Sequence, residues 1–75
     1  MTIQPFMIIF GQNVKKFRSK QKGLSQEKLA ERVGVSKNTI SDIENGKKFV
    51  SARTLSGLAR ELEIEEYELF KPGDQ

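Results

Sequence analysis

A chain of 75 residues with a net charge of +3, no cysteine and no histidine has room for one small core, because a domain of this size buries only about 60% of the surface its unfolded form exposes. The missing residue types rule out disulfides and the usual nitrogen and sulfur ligands of zinc, and they take away the commonest general base and the commonest covalent nucleophile, so no catalysis, metal or cofactor is expected. The apolar start MTIQPFMIIF has no basic n-region or small-residue cleavage site, and no stretch approaches the roughly 20 apolar residues of a membrane span, so the expected setting is the reducing cytoplasm.

In chain order, Phe10, Val14 and Phe17 recur at i, i+4 and i+7, one stripe of an amphipathic helix over about 9 to 21 that Gly23 ends. Residues 1–8 then form an N-terminal extension, residues 9–71 the folded domain and residues 72–75 a tail. Ser25 is suited to cap a second helix, whose stripe is Leu29, Ala30 and Val33 and whose end is Gly34, a residue that takes the left-handed conformation without steric penalty. Only Val35 separates that glycine from Ser36, another N-cap, so a third helix starts at once, runs to about Asn45 and is closed by Gly46. So short a connection implies a steep crossing, with Val35 as the plug between the two helices.

After the basic loop GKKFV, Ser51 caps a fourth helix carrying Leu55, Leu58, Ala59 and Leu62 at i, i+3, i+4 and i+7. Gly57 in its middle either marks a close helix crossing or has no role. The segment IEEYELFKPGDQ supports a short fifth helix over about 65 to 70, stopped by Pro72 and Gly73. No strand pattern of any length occurs, so the fold class is all-α, a compact five-helix bundle.

Charge is unevenly spread along these elements. Residues 1–24 carry five basic groups and no acid, residues 25–48 stand at +1, and residues 49–75 at −3. Such a polarised chain suits a partner with dense negative charge, and nucleic acid is the commonest, although a solvated basic helix face has the same composition.

The third helix has two distinct sides. On a helix beginning at Lys37, Ile40, Ile43 and Glu44 share one side, while Lys37, Asn38, Ser41, Asp42 and Asn45 share the other. Every outward residue can donate or accept a hydrogen bond, which is either an ordinary solvated face or a surface that meets base edges when the helix enters a major groove end-first. Glu44 falls about 40° from Ile40, so it is expected to be partly buried and to need a partner, for which Arg18 of the first helix is the candidate.

The stretch GLSQEKLAERVGVSKNTISDIENGKKFVSARTLSGLARELEIEEYELF resembles the phage-repressor and Cro-like helix-turn-helix regulators, the Xre family. The pieces LSQEKLA, GVS, TISDIENG and TLSGLAREL carry the resemblance most specifically. It implies a lambda-repressor-like fold whose second and third helices form the helix-turn-helix, with the third, residues 36–45, in the major groove. It also implies that Lys37 and Asn38 read base edges, with Ser41 and Asp42 one turn further on. Lysine chemistry suits guanine, asparagine suits adenine and aspartate suits a cytosine amino group; Asp42 is equally able to orient Lys37 or Arg53 or to exclude wrong bases. Phosphate contacts are implied for Ser25, Gln26 and Thr39, for the loop residues Asn45, Lys47 and Lys48, and for Ser51 and Arg53. An arginine-to-glutamate brace between Arg18 and Glu44 is implied as well.

Proteins of this type commonly bind as two-fold dimers on pseudo-palindromic double-stranded operators. Dimer contacts have two candidate sources: the fifth helix, through Ile64, Tyr67, Leu69 and Phe70, or the apolar start, through Ile3, Phe6, Ile8 and Ile9. The expected function is a sequence-specific transcriptional regulator, a repressor acting by promoter occupancy; the alternative is an antitoxin-like or adaptor protein whose main role is to hold another protein.

Overall fold

The computed structural model describes residues 5–73. Four α-helices and one 3₁₀ turn follow in order: α1 (Pro5–Lys20), α2 (Gln26–Val33), α3 (Lys37–Glu44), α4 (Ala52–Leu62) and the 3₁₀ turn Glu66–Phe70. No strand occurs among the described residues. The five-helix count therefore needs correction to four helices and a turn.

Helix α1 begins four residues before the expected start at about 9. Pro5 opens it, and proline suits the first helical position because its fixed φ is helical and its missing N–H would have no partner there. The described part of the 1–8 segment is thus helical, while Ile3 lies outside the described residues.

Helices α2, α3 and α4 each start in the same way. Ser25, Ser36 and Ser51 have extended backbones and accept from the amides of Lys28, Thr39 and Thr54 at 3.0, 3.1 and 3.2 Å. Each such cap satisfies one of the orphan amides of a first turn, worth about 1 kcal/mol. Gly34 stops α2 at φ 89°, with its amide and that of Val35 both donating to the Ala30 carbonyl. Helix α4 ends differently: its left-handed cap is Glu63 at φ 61°, a conformation that strains a residue bearing a Cβ.

The core is a single cluster. Phe10 and Val14 of α1, Leu29 and Ala30 of α2, Ile40 and Ile43 of α3, and Leu58 and Leu62 of α4 meet there, with Leu24 and Leu69 closing it. Val33, Val35, Val50, Leu55 and Ile64 pack against its edge, so Val35 fills the corner between α2 and α3.

Two glycines set how closely the helices approach. At Gly57 an added Cβ would stand 3.1 Å from Val33 Cγ1, so α4 crosses α2 tightly there. At Gly11 an added Cβ would fall on the Ile43 carbonyl oxygen and 2.9 Å from that of Glu44. Helix α1 therefore rests directly on the backbone at the end of α3, a place where no side chain can give way.

The C-terminal segment is held by Asn13. Its buried side-chain amide donates to the Leu69 carbonyl at 2.9 Å and to that of Lys71 at 2.6 Å. With these carbonyls taken by α1, and with left-handed Glu63 before it and Pro72 after it, five residues close as a 3₁₀ turn in place of a full α-helix.

These contacts separate the two glycines experimentally. Gly11→Ala is expected to destabilise the fold by about 2–3 kcal/mol through overpacking against backbone. Gly57→Ala is expected to stay within about 1 kcal/mol of the parent, because helix propensity offsets the tighter contact with Val33. Urea unfolding of the two variants measures both.

Candidate nucleic-acid interface

The position of α3 is set from beneath. Ile40 and Ile43 are fully buried, and the Glu44 side chain beside them is only 2% exposed. Its carboxylate is met from two elements: Arg18 of α1 donates from Nε to Oε2 at 2.6 Å and from Nη2 to Oε1 at 3.2 Å, and Gln26 of α2 donates from Nε2 to Oε1 at 2.9 Å. Arg18 also donates from Nη1 to the Leu24 carbonyl at 3.0 Å, just before α2. One carboxylate thus ties α1, α2 and α3 together, and no buried side-chain nitrogen or oxygen among the described residues lacks a partner.

With the inner side so fixed, the other side faces out. Lys37 and Asn38 are exposed in the first turn, Ser41 and Asp42 are half-exposed one turn on, and Asn45 is exposed at the end. Thr39 is half-buried, its hydroxyl 2.9 Å from that of Ser36. Asp42 stands 3.8 Å from Lys48 Nζ. Its charge partner is therefore the loop lysine, not Lys37 or Arg53, and both groups are too exposed for the pair to add much stability.

Most of the residues expected at phosphates are exposed. Ser25 and Ser51 are exposed at the starts of α2 and α4, where unpaired first-turn amides favour an anion. Arg53, Lys47 and Lys48 are exposed as well. Gln26 differs: its amide is turned inward onto Glu44, so it supports α3 from below. Among the residues expected at a dimer contact, Leu69 is fully buried inside the protomer, Ile64 is half-buried, and Tyr67 and Phe70 are exposed.

Three further residues also shape the site. Gly11 lets α1 reach the end of α3, Asn13 pins the C-terminal turn, and Phe49 lies against Phe6, Phe10 and Phe70 at ring separations of 5.2, 5.0 and 6.1 Å. A signal existed for Asn13: it falls at i+3 of the Phe10, Val14, Phe17 stripe, where a polar residue has to be satisfied internally. Among the described residues no helix is long and apolar enough to cross a membrane, and no group of acidic, histidine or cysteine side chains is arranged to hold a metal.

The brace has a direct test. Arg18→Ala leaves the Glu44 carboxylate buried beside Gln26 alone, and is expected to cost about 3–5 kcal/mol in chemical denaturation. Replacing both members, Arg18→Met with Glu44→Leu, removes the stranded charge and is expected to recover most of that loss.

The chain is similar in sequence and fold to known proteins. The chain is 40% identical over 63 residues to the control protein C.MunI of Mycoplasma sp, spanning 84% of this chain and 85% of the relative. It is 34% identical over 63 residues to the control protein C.BamHI of Bacillus amyloliquefaciens, spanning 84% and 78%. The crystal structure of the restriction-modification controller protein C.AhdI from Aeromonas hydrophila superposes with a TM-score of 0.81 at 37% identity, covering 89% of this chain and all of that one. Residues 14–69 match the helix-turn-helix family HTH_3. The chain belongs to this family of Xre and Cro/C1-like helix-turn-helix proteins, whose members are DNA-binding regulators of transcription.

Proposed function

We propose that this protein is a cytoplasmic, sequence-specific regulator that lays α3 in the major groove of a double-stranded operator and acts by occupying a promoter, most often as a repressor. The observation that carries the reading is the contrast between the two sides of α3: Ile40, Ile43 and Glu44 locked beneath, Lys37 and Asn38 exposed in the first turn above. A rigid underside gives the outer groups a fixed register, which direct readout of base edges needs.

In this reading Lys37 and Asn38 contact bases, with Ser41 and Asp42 further along the groove. Ser25, Ser51 and Arg53 contact phosphates, as do Asn45, Lys47 and Lys48 of the loop. The Asp42 carboxylate is made tolerable near the phosphates by Lys48, and its free lone pairs suit a cytosine amino group. The likeness to C.MunI, C.BamHI and C.AhdI favours control of a restriction-modification operon as the biological setting. The chemistry is binding alone.

One such helix covers only a few base pairs, so the working unit is a homodimer on two half-sites about 34–36 Å apart. Tyr67 and Phe70 are the exposed apolar groups of the C-terminal turn that suit this contact, and Tyr67 is 63% exposed. Leu69, fully buried, only supports that turn from within the protomer.

Binding to DNA from upstream of the protein's own gene is expected to exceed binding to a scrambled duplex by about a thousandfold. Asn38→Ala is expected to cost about 1–3 kcal/mol and relax preference at one base pair, whereas Lys47→Ala weakens both duplexes alike and lowers the salt slope by about 1. Fluorescence anisotropy across a salt series measures both. Unchanged base preference in Asn38→Ala would remove α3 as the reader.

A further inference from the structure

The first turn of α1 lies against the loop that follows α3, and this contact has no part in the core. The loop, residues 45–51, has no regular structure beyond its turn at Gly46, yet it carries Lys47 and Lys48. Several attachments fix it, including the Gly46 amide donating to the Ile43 carbonyl at 3.1 Å and the Phe49 ring lying 6.1 Å from that of Phe70. Gly46, at φ 75°, lies so close to Ile8 that an added Cβ would stand 3.3 Å from Ile8 Cγ1 and 3.5 Å from Ile8 Cα. The Lys47 amide donates to the Asp42 carbonyl at 2.8 Å. The Phe49 ring takes an edge contact from Phe6, centroids 5.2 Å apart at 85°, and another from Phe10 at 5.0 Å.

Phe6 is 45% exposed and Phe49 37%, so their contact is a surface one that gives the fold only part of what a buried aromatic pair would. Its effect is on the lysines between its two ends. A loop left free would have to give up backbone freedom on meeting DNA, and one already held has less to lose.

We infer that Phe6 and Ile8 are positioning residues for DNA binding: the segment ahead of the helix-turn-helix clamps the Gly46–Phe49 loop so that Lys47 and Lys48 are presented together to the phosphate backbone. The clamp raises affinity for every sequence equally and reads none. It rests on the DNA-binding reading above and adds to it a role for residues that touch no base.

The test compares the full-length protein with Phe6→Ala, Ile8→Ala and the conservative Phe6→Leu. The probes are a short duplex from upstream of the gene and a scrambled duplex of the same composition, titrated across a salt series, with sedimentation of each protein alongside. Phe6→Ala and Ile8→Ala are expected to keep their helical circular dichroism and to lose about five- to tenfold affinity for both duplexes in equal measure. Their plots of log affinity against log salt are expected to become shallower by roughly 1 to 2, since phosphate contacts set that slope. Phe6→Leu is expected to recover most of both losses. Unchanged affinity and slope in the alanine variants would overturn the clamp, and so would weaker binding at an unchanged slope, which would assign the ring to dimer contact or to stability. A parent protein that bound neither duplex would remove the DNA-binding reading and the clamp with it.

Discussion

The Glu44 carboxylate is the point on which the arrangement of this molecule depends. It lies at the C-terminal end of α3, where the helix dipole disfavours negative charge, and its burial adds a desolvation cost of several kcal/mol. Both penalties are met only if Arg18 arrives from α1 with two donors and Gln26 from α2 with a third. A rotation of α3 about its axis, or a slide along α1, would break these bonds and strand the charge. The interaction therefore selects one placement of α3 against α1 and α2, and its contribution lies more in that choice than in net stability.

Much of this was legible in the sequence because it rests on local rules. The three serine caps, the left-handed stop at Gly34 and the apolar stripes follow from backbone sterics and helical period, and they place α2, α3 and α4 within a residue or two. What escaped is non-local. Gly11 reads as a mild helix weakener until the Ile43 and Glu44 carbonyls are brought against it. Phe49 reads as a loop residue until Phe6 and Phe10 close on it. The segment 66–70 reads as a helix because the apolar spacing is the same; the carbonyls of Leu69 within the turn and of Lys71 after it are drawn to Asn13, 56 and 58 residues away. Position alone suggests a phosphate for Gln26, and only in the fold does its amide turn onto Glu44.

The basic first third of the chain also changes meaning once folded. Of its five cations, Arg18 is spent on Glu44, and Lys16 and Lys20 lie over the Phe17 ring at 4.9 and 5.2 Å from its centroid. Such stems shield an apolar ring while keeping their charge in water. Lys37 of α3, Lys47 and Lys48 of the loop and Arg53 of α4 are by contrast exposed cations, and these are the ones the proposed reading assigns to DNA. Sequence asymmetry pointed to the right class of partner through residues that mostly serve other ends.

In the proposed mode of binding, a braced α3 presents its hydrophilic side to duplex DNA. Amide chemical-shift mapping of the isotope-labelled protein against the upstream duplex addresses it most directly. Large shifts are predicted along residues 36–45, at the first turns of α2 and α4 and in the loop through Lys48, with the 3₁₀ turn and the exposed side of α1 unmoved. Perturbations centred on the lysines of α1, with Lys37 and Asn38 unchanged at saturation, would contradict it.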